Sequence, residues 1–202
     1  TLLDDTDICL EGINRLLSRR QLKLLDKIRY RDIFTFPVKE YYQAAGFCFL
    51  KEPFEVPAEE FIVEYKQLLK QAGLFSDVSH TLAWFHEAGV KQYIVSAMEQ
   101  QALEQSVSER GIAGFFSRIY GIENNLAFSK VKRGQELIKE LNLDTSRTLM
   151  VGDTLHDCEV AGELGIPIIL VGRGHQSSNR LRQSRNPVLS DLQHLLRHIS
   201  GQ

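Results

Sequence analysis

The sequence predicts an α/β protein: a doubly wound parallel sheet with an α-helical insertion ahead of most of it. Three observations carry this reading. From about residue 78 onward, short apolar runs alternate with amphipathic helical stretches. The runs "TLMVG" and "PIILVG" are apolar on both faces, as parallel strands covered on both sides must be. Before residue 78 the periodicity is helical and strand signals are few. At 202 residues the chain fits one medium domain, or a core carrying a smaller insertion.

The elements follow in order. "GINRLLSRR" and "LKLLDKI" read as helices. "PAEEFIVEYKQLLKQAG" opens with Pro57 in its first turn and ends at Gly73. Its Phe61, Ile62, Tyr65, Leu68 and Leu69 form one apolar stripe, the pattern of helix-on-helix packing. "VSHTLAWFHEAG" puts Val78, Leu82 and Phe85 on one face and stops at Gly89. "VKQYIVSA" is a strand rich in β-branched and aromatic residues. A helix over 99–110 closes at Gly111, and a short extended piece follows at "RIYGI". Next come a helix over 131–141 with Leu137, Ile138 and Leu141 on one side, and the strand "TLMVG". "DCEVAGELG" is a helix, "PIILVG" a strand, and "DLQHLLRHIS" a last helix carrying Leu192, Leu195, Leu196 and Ile199.

Composition narrows the function classes. A formal charge of -2 argues against a wholesale nucleic-acid binder, and the basic stretches lack interleaved aromatics for base stacking. The longest apolar runs are too short to span a bilayer. Cys9, Cys48 and Cys158 are scattered without a CxxC pair, so free thiols, buried or half-buried, and a reducing cytoplasm are expected.

The chemistry concentrates in "VGDTLHD", residues 151–157. Asp153 and Asp157 are four apart where a buried strand surfaces into a helix, so both acids share a face. Two carboxylates there repel unless a cation sits between them, and magnesium meets that need with one or two carboxylates, waters and a phosphate. The plainer alternative is a capping aspartate followed by a solvated first-turn acid. Two further groups favour the site: Ser96, delivered by "YIVSA" to the same sheet edge, and Lys130, just ahead of a helix feeding the aspartate strand.

The order Ser96, Lys130, then "GDTLHD" resembles the haloacid dehalogenase superfamily, in its phosphatase branch similar to phosphoglycolate phosphatases. The resemblance implies a core of residues 1–10 and 78–202 with a helical cap over 11–77. It also implies a magnesium-dependent phosphatase acting on a small phosphorylated metabolite through an aspartyl-phosphate. Lys130 and Ser96 would be catalytic, and Asp153 and Asp157 would serve the metal, Asp157 through its water shell or by holding Lys130. Thr1, Ser96, the Ala97 amide and Lys130 would contact substrate; beside these, Arg31, next to "DIFTFPVKEYY" on the basic face, is the one cap residue read from the sequence as a candidate substrate contact. "TLLDDTDICLEGIN" resembles the continuation of the family's DxDGT motif from its threonine, Thr1. The nucleophile is therefore expected on a first strand preceding Thr1, and the chain from Thr1 onward is expected to be inactive alone. Asp4 and Asp5 are not its substitutes, since no apolar strand leads into them. A non-catalytic binding relative, a phosphonatase and a dehalogenase are the competing readings.

Basic stretches raise the question of substrate. Between Arg15 and Arg31 lie seven basic residues against one acid, Asp26, which is either a solvated face or a surface drawing in anions. A second basic stretch, "GRGHQSSNRLRQSRNP", is expected to be a mobile loop, with His175 or Arg173 as its candidate substrate contacts. His156, beside Asp157, points elsewhere on its helix and is expected to be structural or exposed.

Overall fold

The computed structural model describes residues 1–123 and 130–201. Four helices come first: α1 (Thr6–Arg19), α2 (Lys27–Ile33), α3 (Val38–Ala45) and α4 (Glu55–Leu68). They surround their own apolar cluster, in which Ile13, Leu16 and Leu17 of α1 meet Tyr30, Tyr41, Tyr42 and Phe47. Two neighbouring threads tie this block to the rest. Leu3 bridges Leu74 in antiparallel fashion, the Asp4 N–H donates to the Gly73 carbonyl at 3.0 Å, and the Phe75 N–H donates to the Leu2 carbonyl at 3.1 Å.

The remainder alternates as expected: α5 (Val78–Glu87), β1 (Gln92–Glu99), α6 (Gln100–Glu109), β2 (Phe116–Ile122), α7 (Lys130–Leu141), β3 (Met150–Gly152), α8 (Leu155–Leu164) and β4 (Ile168–Val171). After them come α9 (Ser178–Leu181), β5 (Val188–Leu189) and α10 (Leu192–Ser200). Every strand pair is parallel, as the alternation requires. Among the described residues the strands form two ladders, β1–β2 and β3–β4–β5. A cavity of about 1940 Å³ is lined by residues of both, Val95 and Ser96 from β1 and Met150 and Val151 from β3.

Several expectations change. The "LKLLDKI" stretch is not one helix: residues 22–26 are extended or irregular, and α2 starts only at Lys27. Leu22, Leu24, Leu25 and Ile28 mimic helical spacing, but polar side chains decide the local backbone. The Asn14 side chain both accepts from the Leu25 N–H and donates to the Leu25 carbonyl, each at 2.8 Å. Asp26 then caps α2 by accepting from the Arg29 N–H at 2.7 Å. Cys48 is exposed, unlike buried Cys9 and half-buried Cys158. Ile199 faces outward at 43% exposure, leaving Leu192 and Leu195 as the buried anchors of α10. The basic stretch after β4 is not a mobile loop but carries α9, whose Leu181 is fully buried. The quoted run "AFS" ahead of Lys130 falls within residues 124–129 and so lies outside the described residues. No helix among the described residues is long and apolar enough to cross a membrane.

Candidate active site

β3 delivers Asp153 and Asp157 to one place because the chain turns directly from strand to helix. Thr154 is the N-cap of α8, and its hydroxyl accepts from the Asp157 N–H at 3.2 Å. Asp157 answers as the third residue of the helix. Its Oδ2 accepts from the N–H groups of Asp153 and Thr154, both at 3.0 Å, and from the Thr154 hydroxyl at 2.8 Å. This is a capping box in which an aspartate closes the loop. Gly152 is required by close approach, since a Cβ there would lie 2.4 Å from the Asp157 Cβ.

The other oxygen of Asp157, Oδ1, takes the Lys130 ammonium from the start of α7. Burial opposes charge on Asp157, but Lys130 outweighs it and holds the carboxyl below its ordinary value. Of the two arrangements expected of Asp157, the structure has the one that holds Lys130: Oδ1 takes the ammonium, and Oδ2 orders the main chain around Asp153.

Asp153 is the carboxylate left to act. Its side chain is buried, and its Oδ1 accepts from the Thr1 hydroxyl at 2.5 Å. Its Oδ2 accepts from the His175 main-chain N–H at 3.0 Å. Gly174 makes that contact possible, because a Cβ there would stand 1.9 Å from Asp153 Oδ2. A buried carboxylate on the cavity wall offers hard oxygen donors, so the donor set fits magnesium at Asp153.

Ser96 and Ala97 do not sit where the sequence put them. β1 runs on past them to Glu99, and Glu99, not Ser96, caps α6 by accepting from the N–H groups of Gln101 and Ala102 at 3.0 Å. The ladder with β2 is regular up to Val95 and shifts register between Val95 and Glu99, so Ser96 and Ala97 lie in the irregular segment. The Ser96 hydroxyl accepts from the Met98 N–H at 3.1 Å. Ser96, Ala97, Lys130, Asp153 and Asp157 all line the same cavity, whereas no hydrogen bond joins Ser96 to the acidic rim among the described residues.

Arg31 is not free to meet substrate. Its guanidinium donates to the Gly172 carbonyl at 2.7 Å and the Gln176 carbonyl at 3.0 Å, clasping α2 to the loop after β4. Gln176, itself buried, returns the tie by donating to the Phe34 carbonyl at 2.8 Å. The basic run is likewise largely paired within the block. Arg15 and Arg19 bind Glu64, Arg20 binds Glu52 and Glu60, and Lys27 binds Asp7. Arg173 is paired too, with Asp77 at 2.8 Å. His156 is held by Glu159 at 2.9 Å and stacks on Phe36 at 4.7 Å between ring centroids.

His175 emerges as the residue that pattern reading undervalued. Its Nε2 meets Asp5 at 3.1 Å and its Nδ1 the Tyr30 hydroxyl at 2.8 Å, while its ring stacks on Phe34 at 4.9 Å. Tyr65 of α4 donates to the same Asp5 at 2.8 Å. Burial opposes charge on both members, but each stabilises the other, raising the His175 pKa and lowering that of Asp5. One residue thus joins the helical block, through its ring, to Asp153, through its peptide N–H. The only sequence signal was its nearness to a strand's carboxyl end.

An α/β fold with this acid and lysine rim at the carboxyl ends of parallel strands has the form of a hydrolase core. Residues 1–171 match the haloacid dehalogenase-like hydrolase family, and the chain belongs to it. Among curated proteins it is similar to tyrosine-protein kinase PtkA of Mycobacterium tuberculosis (strain ATCC 25618 / H37Rv). The two are 27% identical over 139 residues, 66% of this chain and 48% of PtkA. The chain thus spans about half the length of the curated relatives it matches. The solved structure of M. tuberculosis PtkA superposes with a TM-score of 0.82 at 21% identity, covering 100% of this chain and 94% of that one. Haloacid dehalogenase-like family protein SP0104 from Streptococcus pneumoniae gives a TM-score of 0.85 at 17% identity, covering 98% and 93%. A predicted phosphoglycolate phosphatase from Haemophilus somnus 129pt gives 0.77 at 17%, again covering 98% and 93%.

Proposed function

We propose that this chain is the body of a magnesium-dependent phosphatase that hydrolyses a small phosphorylated metabolite. The observation that carries the reading is the rim itself. Asp153, buried, and Lys130, oriented by Asp157, face one cavity at the carboxyl ends of the strands. Magnesium, held at Asp153, would supply charge neutralisation to a phosphoryl group. Lys130 adds a fixed ammonium on the same side, and the rigid capping box keeps it from collapsing onto Asp153.

The nucleophile in this reading is a carboxylate presented to the cavity that β1 and β3 both line. Its carboxylate oxygen bonds to phosphorus as the substrate alkoxide departs and takes up a proton. Water then cleaves the aspartyl-phosphate to release inorganic phosphate. The helical block, which we assign to residues 11–77, covers the cleft as a cap and excludes bulk water. PtkA is titled a tyrosine-protein kinase, another phosphoryl-transfer activity, so the direction of transfer has to be assayed.

The test is steady-state hydrolysis of a panel of phosphate monoesters by the natural protein, with magnesium and with chelator. Magnesium-dependent release of phosphate that disappears in Asp153→Asn supports the proposal. Turnover that survives both chelation and Asp153→Asn defeats it.

A further inference from the structure

We propose that Asp5, Cys9 and His175 form a three-donor site for a borderline-soft divalent transition ion such as Zn2+, separate from the magnesium position at Asp153. Their ligand atoms all lie within 4.8 Å of one another, so a small inward adjustment of the side chains brings them to the spacing of a tetrahedral ion. Asp5 and Cys9 are one helical turn apart at the start of α1, and both are buried. His175 arrives from the loop after β4, so the ion would bridge the helical block and the sheet.

The donor chemistry selects the ion. A thiolate and an imidazole favour zinc or cobalt, whereas magnesium takes oxygen ligands. The surroundings have the supports that metal ligands need. The Tyr30 hydroxyl holds Nδ1 of His175 at 2.8 Å and leaves Nε2 aimed at Asp5, while Tyr65 fixes the other Asp5 oxygen at 2.8 Å. Asp5, Cys9, Tyr30, Tyr65 and His175 all line the large cavity, which supplies an entry path and room for a water as fourth ligand.

Electrostatics explain why the thiol is quiet without metal. Burial pushes the Cys9 thiol well up, and the Asp5 charge adds to it. A divalent cation reverses the effect, since the charge that opposes a thiolate attracts the ion. Binding expels the thiol proton, and any proton on His175 Nε2, to solvent.

Cobalt tests the proposal independently of phosphatase activity. The natural protein carrying Cys48→Ser and Cys158→Ser, kept in saturating magnesium, is titrated with Co2+. One equivalent should produce a near-ultraviolet thiolate-to-cobalt charge-transfer band. That band should vanish in Cys9→Ser and Cys9→Ala, and survive in Asp153→Asn. His175→Ala and Asp5→Asn should weaken Co2+ binding at least about tenfold, and Tyr30→Phe by about 10- to 100-fold. No band from the folded protein carrying Cys48→Ser and Cys158→Ser, a band persisting without Cys9, or loss of the band in Asp153→Asn would each overturn the site. If the Cys9 variants do not fold by circular dichroism, Asp5→Asn and Tyr30→Phe decide it. Unchanged cobalt affinity in both sinks the proposal.

Discussion

At Lys130 a single ammonium is positioned by one carboxylate oxygen, and its effect is separable from folding. Lys130→Ala leaves Asp157 Oδ2 in its capping role, so the helix start should persist. We expect kcat to fall about 10²- to 10³-fold, the scale of removing one preorganised charge-stabilising group, with an unchanged circular dichroism spectrum. Asp153→Asn should fall at least as far and should also lose magnesium affinity, measured by calorimetry. Gly174→Ala probes the same carboxylate by crowding. The added methyl would meet Asp153 Oδ2 in the backbone's present path, so the loop must shift and break the His175 N–H contact. Magnesium affinity and kcat should drop together, while KM for substrate changes less. The acid pair was legible because both members belong to one local turn. His175 was not, since its partners Asp5, Tyr30 and Asp153 are far from it in the chain.

Helix starts carry much of the local design. Asp191 caps α10, accepting from the His194 N–H at 2.9 Å, and its pKa is lowered from 3.8 to about 2. Burial, the largest single influence, raises it, but the His194 N–H and side chain and the Ser190 hydroxyl together outweigh that. Because the folded value is the lower one, the stabilisation is complete above about pH 4 and fades as pH falls through about 2. Asp191→Ala should therefore cost about 1 kcal/mol near neutrality by urea denaturation. The gap from the natural protein should close progressively below about pH 4. A constant gap across that range would show that charge is not its source. The boundaries of α5 through α8 could be read from glycines and alternation. The start of α2 could not, because Asn14, eleven residues before Leu25, overrides the apolar spacing.

The two halves of the molecule meet through polar contacts. Arg31 donates to two carbonyls after β4, and Gln176 and Arg180 both donate to the Phe34 carbonyl. Arg110 of α6 adds a second junction, donating to the Leu69 and Ala72 carbonyls at 2.9 and 2.8 Å. Hydrogen bonds from a charged donor are worth more than neutral ones, so Arg31→Ala should destabilise the protein by about 2–3 kcal/mol. It should also speed proteolysis within residues 20–37, measured as the rate of first cleavage at fixed protease. A role in substrate recognition would instead raise KM with stability intact. The parallel α/β class was visible in the sequence because strand and helix periodicities are local. The pairing of the basic run was not, since Glu52, Glu60 and Glu64 lie across the α1–α4 contact, far from the arginines in the chain.

The Arg31 clasp grips main-chain oxygens, which every amino acid supplies. No replacement at positions 172 and 176 removes an acceptor, but a Cβ at Gly172 would stand 2.3 Å from the Ser178 hydroxyl oxygen, and Gln176 binds Phe34 and Leu155 through its own side chain. Both sides of this joint are therefore exacting. A saturation library should exclude nearly every replacement of Arg31, Gly172 and Gln176 alike.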